Sequence, residues 1–91
     1  MSSQGINTTL QTNFVRTEVQ IARRMLRSAA KCLSDRQHDG ARESLGMAQV
    51  ALSGAEKHMA VVKLPAGKTK TIKREVRELW RRIRGIEIPA A

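Results

Sequence analysis

Apolar residues in the first half of the chain recur at helical spacing. Projected at about 100° per residue, they fall on one wide arc made of two adjacent stripes. The members are Phe14, Val15, Val19, Ile21, Ala22, Met25, Leu26, Ala29, Cys32 and Leu33. An arc of this width is typical of a helix that contacts two neighbours. The pattern predicts a helix over residues 8–35, entered through a capping box at Thr8 and Gln11 and preceded by a flexible segment at residues 1–7.

The next apolar series alternates spacings of four and three residues, which is typical of the seam between two paired helices. Its members are Ala41, Leu45, Ala48, Leu52, Ala55, Met59 and Val62. They predict a second helix over residues 39–62, antiparallel to the first. The stretch "SDRQHDG" lies between the two helices, and there we expect Asp39 to cap the second helix and Gly40 to permit a tight turn.

Pro65 and Gly67 predict a linker at residues 63–69. A third, amphipathic helix is expected at residues 70–85, followed by a tail at residues 86–91. Its apolar stripe consists of Ile72, Val76, Leu79, Trp80 and Ile83. Because Trp80 belongs to this stripe, we expect it to pack in the core rather than to serve as a base-stacking platform. The fold class is therefore all-α: a long antiparallel hairpin with a shorter basic third helix, together a small three-helix bundle.

The second helix carries more apolar surface than one neighbour covers. Met47, Val50 and Val61 lie outside its seam and form a candidate protein interface. This surplus predicts a homo-oligomer, most simply a homodimer, or a protein partner laid along the helix.

Positive charge dominates the chain, with 17 Lys and Arg against 8 Asp and Glu, a formal net charge of +9. Such a balance favours a polyanionic partner. Most of the charge falls on two helix faces opposite the apolar stripes. The N-terminal ridge is Arg16, Arg23, Arg24, Arg27 and Lys31, and the C-terminal ridge is Lys70, Lys73, Arg74, Arg77, Arg81 and Arg84.

These two ridges predict a small non-enzymatic protein that binds nucleic-acid backbone, as duplex DNA or structured RNA, or a nucleoprotein complex. One Phe, one Trp and no Tyr give little support for recognition of single strands by stacking. The alternative is a protein–protein adaptor or a small regulator or inhibitor, of the kind phages and plasmids use, that binds an acidic protein. A third possibility is that the basic last helix lies on an anionic membrane surface.

One acid interrupts the apolar arc of the first helix. Glu18 projects near its middle, and the start of the first helix should face the end of the second. The simpler expectation is that Glu18 reaches solvent at the end of the bundle or meets a basic side chain there, with His58 or Lys57 as its partner. The alternative is a buried, hydrogen-bonded pair of Glu18 and His58, which would be a functional site or would fix the register of the hairpin.

The remaining residues offer little chemistry. We expect no catalytic residue, no cofactor and no metal site, because the two histidines are twenty residues apart and the single cysteine, Cys32, lacks partners at metal-ligand spacing. The same lone cysteine favours a reducing, cytoplasmic setting. No apolar run is long enough for a transmembrane segment.

Overall fold

Three helices make up the protein in a computed structural model that describes the backbone of residues 2–89 and the side chains of residues 9–89. They are α1 (Ser2–Ser34), α2 (His38–Val61) and α3 (Ala66–Gly85). No strand occurs in the described range. The prediction of an all-α three-helix bundle is confirmed.

Helices α1 and α2 form an elongated antiparallel hairpin whose register is set by four facing pairs. The pairs are Phe14 with His58, Glu18 with Gly54, Ser28 with Ser44, and Cys32 with Gly40. In every pair the two residue numbers total 72, so the pairing keeps one register from the turn to the far end of α2. The molecule measures 55 × 18 × 17 Å, which is close to the length of α1 alone at about 1.5 Å per residue.

The turn between α1 and α2 closes with the backbone in the left-handed region at Arg36, where φ is 60°. The Arg36 N–H donates to the Leu33 carbonyl at 3.1 Å, and the Gln37 N–H donates to the Cys32 carbonyl at 2.7 Å. This is the Schellman arrangement, which satisfies the last carbonyls of a helix and is usually made with glycine at the left-handed position. Here an arginine holds it.

Asp39 and Gly40 do not have the roles expected from the sequence. Helix α2 begins at His38, its N-cap residue is Gln37, and no side chain caps it. Asp39 lies in the first turn, where its carboxylate is 3.5 Å from Arg42. No described glycine has a positive φ. Gly40 instead lets the helices approach, because a Cβ added there would lie 3.1 Å from the Cys32 sulfur.

The helix ends also differ from the sequence-based boundaries. Helix α1 begins at Ser2 rather than after a cap at Thr8, so the structure assigns residues 2–7 to a helix instead of a flexible segment. The polar residues there are less favourable in a helix than alanine by only about 0.5 kcal/mol each. Extension of a helix that has already formed needs no new nucleation, so this cost does not prevent it. Helix α3 begins at Ala66, directly after Pro65, whose carbonyl accepts the Thr69 N–H at 2.9 Å.

The core lies between all three helices. It is built from α1 and α2 residues together with Ile72, Val76, Leu79 and Ile83 of α3. The α2 seam predicted from the sequence is buried at its alanines and at Leu52, which is fully inaccessible. Small seam residues let α1 and α2 lie close together, so α3 supplies much of the large apolar volume. This packing leaves the polar face of α3 in solvent.

Candidate nucleic-acid interface

The C-terminal ridge runs along the solvent face of α3. All six of its cations are exposed. From Lys70 to Arg84 the ridge is about 21 Å long at 1.5 Å per residue. It is exposed because the buried stripe of α3 faces the hairpin and the ridge lies on the other side of the helix.

The N-terminal ridge lies on α1, and two of its cations, Arg16 and Arg23, lie beside α3. Arg16, Arg24, Arg27 and Lys31 are exposed, and Arg23 is half-buried. From Arg16 to Lys31 this ridge is about 22 Å long. The two ridges therefore match in length, and each is carried by a helix that the core holds rigid.

Two carboxylates at the α1–α3 seam separate the ridges. Glu75 accepts a hydrogen bond from Arg23 at 2.9 Å, and its side chain and that of Arg23 are each about 40% exposed. Glu78 lies 3.1 Å from Arg81 on its own helix. Surface pairs of this kind contribute only about 0–1 kcal/mol to stability. Their larger effect is on the interface, because they partly neutralise one cation in each ridge.

Nine of the eleven ridge cations form no salt bridge among the residues that the structure describes, and all nine are exposed. The seam itself is shallow. Arg16 and Gln20 line one end of it beside Glu75, and Arg74 and Arg82 line the other. Cations thus surround both acids, so the seam keeps a positive balance. The structure thus brings Arg16 and Arg23 of the N-terminal ridge beside α3, and Glu75 and Glu78 lie between Arg23 and Arg74 of the C-terminal ridge.

Trp80 belongs both to the edge of the core and to the wall of a surface groove. It is half-buried and packs against the core cluster. It also lines a groove of about 410 Å³ between α2 and α3. Its indole Nε1 donates a hydrogen bond to Glu56 Oε1 at 2.9 Å. We call this depression the Trp80 groove; three cations of the C-terminal ridge line it, namely Lys73, Arg77 and Arg84.

The Glu18–His58 pair does not form. His58 packs on Phe14, with ring centroids 4.6 Å apart, and its buried Nε2 has no hydrogen-bond partner among the side chains that the structure describes. Glu18 lies one helical turn away, opposite Gly54, where an added Cβ would be 3.1 Å from its Oε2. The register explains the difference, because residue numbers 18 and 58 total 76 rather than 72. Glycine at position 54 makes the space that the carboxylate occupies.

The candidate protein interface is exposed, and it is larger than expected. Met47, Val50 and Val61 are 50%, 73% and 81% exposed. They share one hairpin face with Leu10, Phe14 and Ile21, which are 61%, 50% and 38% exposed. We call these six residues the apolar strip. Ile21, Met47 and Val50 of the strip line one shallow depression together with Glu18, Met25 and Ala51, and α3 contributes no described residue to it.

The sequence alone placed Phe14 and Ile21 in the core, and this is wrong. One of the two stripes on α1, which contains Val15, Val19 and Leu26, is buried. The other stripe, which contains Phe14 and Ile21, faces outward. Hydrophobic periodicity identifies residues that share a face but gives no information on whether a neighbour covers that face.

Comparison with protein-family models, with curated proteins and with solved structures gives no match. Within the described residues, no helix has the length and apolar character that crossing a bilayer requires. No group of three or more His, Cys, Asp or Glu side chains in that part of the chain is arranged to hold a metal ion. The charged and apolar surfaces are therefore the features of this chain that bear on its function.

Proposed function

We propose that this protein is a non-enzymatic binder of nucleic-acid backbone, as duplex DNA, structured RNA or a nucleoprotein complex, and that it works in a reducing cytoplasm. The observation that carries the proposal is the pair of ridges, each about 21–22 Å long, on rigid helices. Their nine exposed cations without described salt bridges are free to contact phosphates. The backbone that carries these cations is already ordered as helix. Binding to phosphates therefore costs little additional backbone conformational entropy.

The length of a ridge sets the size of the contact. One strand of a duplex carries a phosphate about every 3.4 Å of helix axis, so a 21 Å ridge spans roughly six. If about six phosphates are neutralised, the logarithm of the binding constant falls with a slope near −5 against the logarithm of salt concentration. Affinity should then drop about 1,000-fold between 50 and 200 mM salt.

The test is fluorescence anisotropy with labelled duplex DNA, single-stranded DNA and hairpin RNA across that salt range. Lys70→Ala with Arg74→Ala removes two exposed cations from the C-terminal ridge but leaves the Trp80 groove intact. The matched control is Lys57→Ala with Arg42→Ala, which removes two cations of α2 that lie outside both ridges. We expect the ridge pair to reduce the salt slope by about 2 and the control pair by close to zero. Equal effects of the two pairs, or no binding at low salt, would refute the proposal.

The apolar strip favours a second candidate function, protein–protein association, and the occupant that fits best is a second copy of this chain. Six side chains exposed by 38–81% present roughly 600 Å² of surface, against about 800 Å² per partner in a standard interface. Burying the strip would also relieve the thin stability margin of a chain this short. Two copies joined through the strip keep their basic ridges outward and double the number of phosphates in reach.

Sedimentation equilibrium at about 5–200 µM tests this pairing. Val50→Lys should lower the association constant at least tenfold, because dimer formation would bury an unpaired charge in the strip. Gln49→Lys, the neighbouring exposed position, should leave it unchanged. A monomeric wild-type protein would refute the pairing. If the ridges bind an acidic protein and no nucleic acid, the adaptor role is favoured. If α3 binds anionic vesicles and no nucleic acid, the membrane-surface role is favoured.

A further inference from the structure

The Trp80 groove has the dimensions and lining of a small-ligand site. Its volume of about 410 Å³ falls within the usual range for ligand pockets, about 300–1,000 Å³. Buried Val76 and half-buried Met59 give it an apolar interior, and Trp80 forms one side. Along its rim stand Lys73, Arg77 and Arg84. A ligand that fits must therefore combine a flat or apolar group with negative charge.

The indole is held in place before any ligand arrives. Its Nε1 donates to Glu56 Oε1 at 2.9 Å, and the core packs against the rest of the ring. A ring fixed in this way loses little freedom when another ring stacks on it. Glu56 is exposed, and a carboxylate has acceptor capacity beyond one hydrogen bond. The same acid can thus accept a second hydrogen bond from a ligand amino group.

The cations of the groove belong to a longer row. Lys73 and Arg77 are one turn apart, about 6 Å along α3. The row continues outside the groove to Lys70 and Arg74. A short acidic peptide would need only the cations of the rim, and its carboxylates would be repelled by Glu56. A polyanionic strand that follows the whole row uses all of them and brings its bases to the groove.

On these grounds we infer that the Trp80 groove takes one unpaired nucleotide base, stacked on the indole, from a nucleic acid whose backbone lies on the C-terminal ridge. The base carries an exocyclic amino group that donates to Glu56, which selects adenine, guanine or cytosine over uracil or thymine. This inference rests on the proposed function. It adds a preference for bulged or looped nucleic acid over plain duplex, because only an unstacked base can enter the groove.

Trp80 is the only tryptophan, so its fluorescence reports directly on the groove. The probes are RNA hairpins, and DNA hairpins of the same sequence, with no bulge, a single adenine bulge or a single pyrimidine bulge (uracil or thymine). We expect the adenine bulge to bind about 10-fold more tightly than the plain stem and to quench the tryptophan. Stacking of one base on an aromatic side chain changes affinity by roughly 5- to 150-fold. The pyrimidine bulge should show a smaller gain.

Two variants separate the groove from the ridges. Trp80→Leu should abolish the bulge preference and leave plain-stem affinity within about twofold, whereas Lys70→Ala with Arg74→Ala should weaken all hairpins alike. Ala60→Leu fills the exposed edge of the groove without touching the core, so it tests the same point if Trp80→Leu unfolds the chain. Circular dichroism establishes that each variant is folded.

The outcomes are distinct. Equal binding of plain and bulged stems with unchanged fluorescence overturns the inference and leaves the proposed function standing. Absence of binding to every hairpin at low salt overturns both. Saturable quenching by a peptide of alternating glutamate and leucine, without quenching by bulged hairpins, overturns the inference in favour of an acidic protein segment.

Discussion

Replacing Arg36 with glycine should stabilise the protein. Arg36 holds the left-handed position of the turn at φ 60°, and it is exposed. A side chain in this region costs about 1–2 kcal/mol because its Cβ crowds the following carbonyl. Glycine has no such crowding, but its unfolded chain is freer by roughly 0.5–1 kcal/mol. The difference predicts a gain of about 0.5–1 kcal/mol in the free energy of unfolding, or about 2–8 °C in Tm for a domain of this size.

Urea titration followed by circular dichroism measures the effect. Arg36→Ala is the matched control, because it removes the same charge and side chain but keeps the Cβ, and we expect it to lie within about 0.5 kcal/mol of the wild type. Arg36→Asn should fall between them, since asparagine tolerates the left-handed region better than most residues. A glycine variant no more stable than the alanine variant would show that residue 36 is not strained by its Cβ.

Two other predictions concern the glycines of α2 and the hydrogen bond that joins α1 to α2. Gly46→Ala should raise the free energy of unfolding by about 1 kcal/mol, because alanine favours the helix and a Cβ there would meet no described atom within 4 Å. Gly54→Ala should raise it by less, because its Cβ would lie 3.1 Å from Glu18 Oε2. A thermal melt of both variants checks the order, and an equal gain would contradict the placement of Glu18. Ser28 and Ser44 share a hydrogen bond of 3.0 Å, so either single alanine variant should lose about 1 kcal/mol, while the double variant loses less than the sum of the two. Additive losses in a double-mutant cycle would mean that the hydroxyls do not interact.

Periodicity predicted the buried faces well where a helix has a partner along its full length. The spacing of Ala41, Ala48, Leu52 and Ala55 identified the inward side of α2, and these residues are buried. The stripe of α3 was equally informative. In both cases the apolar residues are regularly spaced and polar residues fill the opposite side, so one orientation is strongly favoured.

The features that the sequence did not predict depend on relations between helices. The length and closure of the turn set the register of the hairpin, and this register places Glu18 opposite Gly54. The partner expected from the sequence, His58, lies four residues further along α2. That closure uses an arginine where a glycine would be the usual signal. The Trp80 groove was missed for a related reason: its walls come from two helices, and α2 supplies Glu56 from a position with no marked pattern.

The contact of Cys32 with Gly40 makes the thiol a reporter on motion. Cys32 is the only cysteine, it is half-buried, and it lies near the turn, opposite Gly40 in the first turn of α2. A thiol reagent reaches it fully only when the first turn of α2 separates from α1. Because a half-buried thiol also reacts without opening, the alkylation rate in native buffer, divided by the rate for the unfolded chain, sets a lower limit on the free energy of this local opening. The Arg36→Gly variant relieves the backbone strain at the turn, so its Cys32 should react more slowly. The alkylation rate then connects the backbone conformation of residue 36 with the local opening of this end of the hairpin.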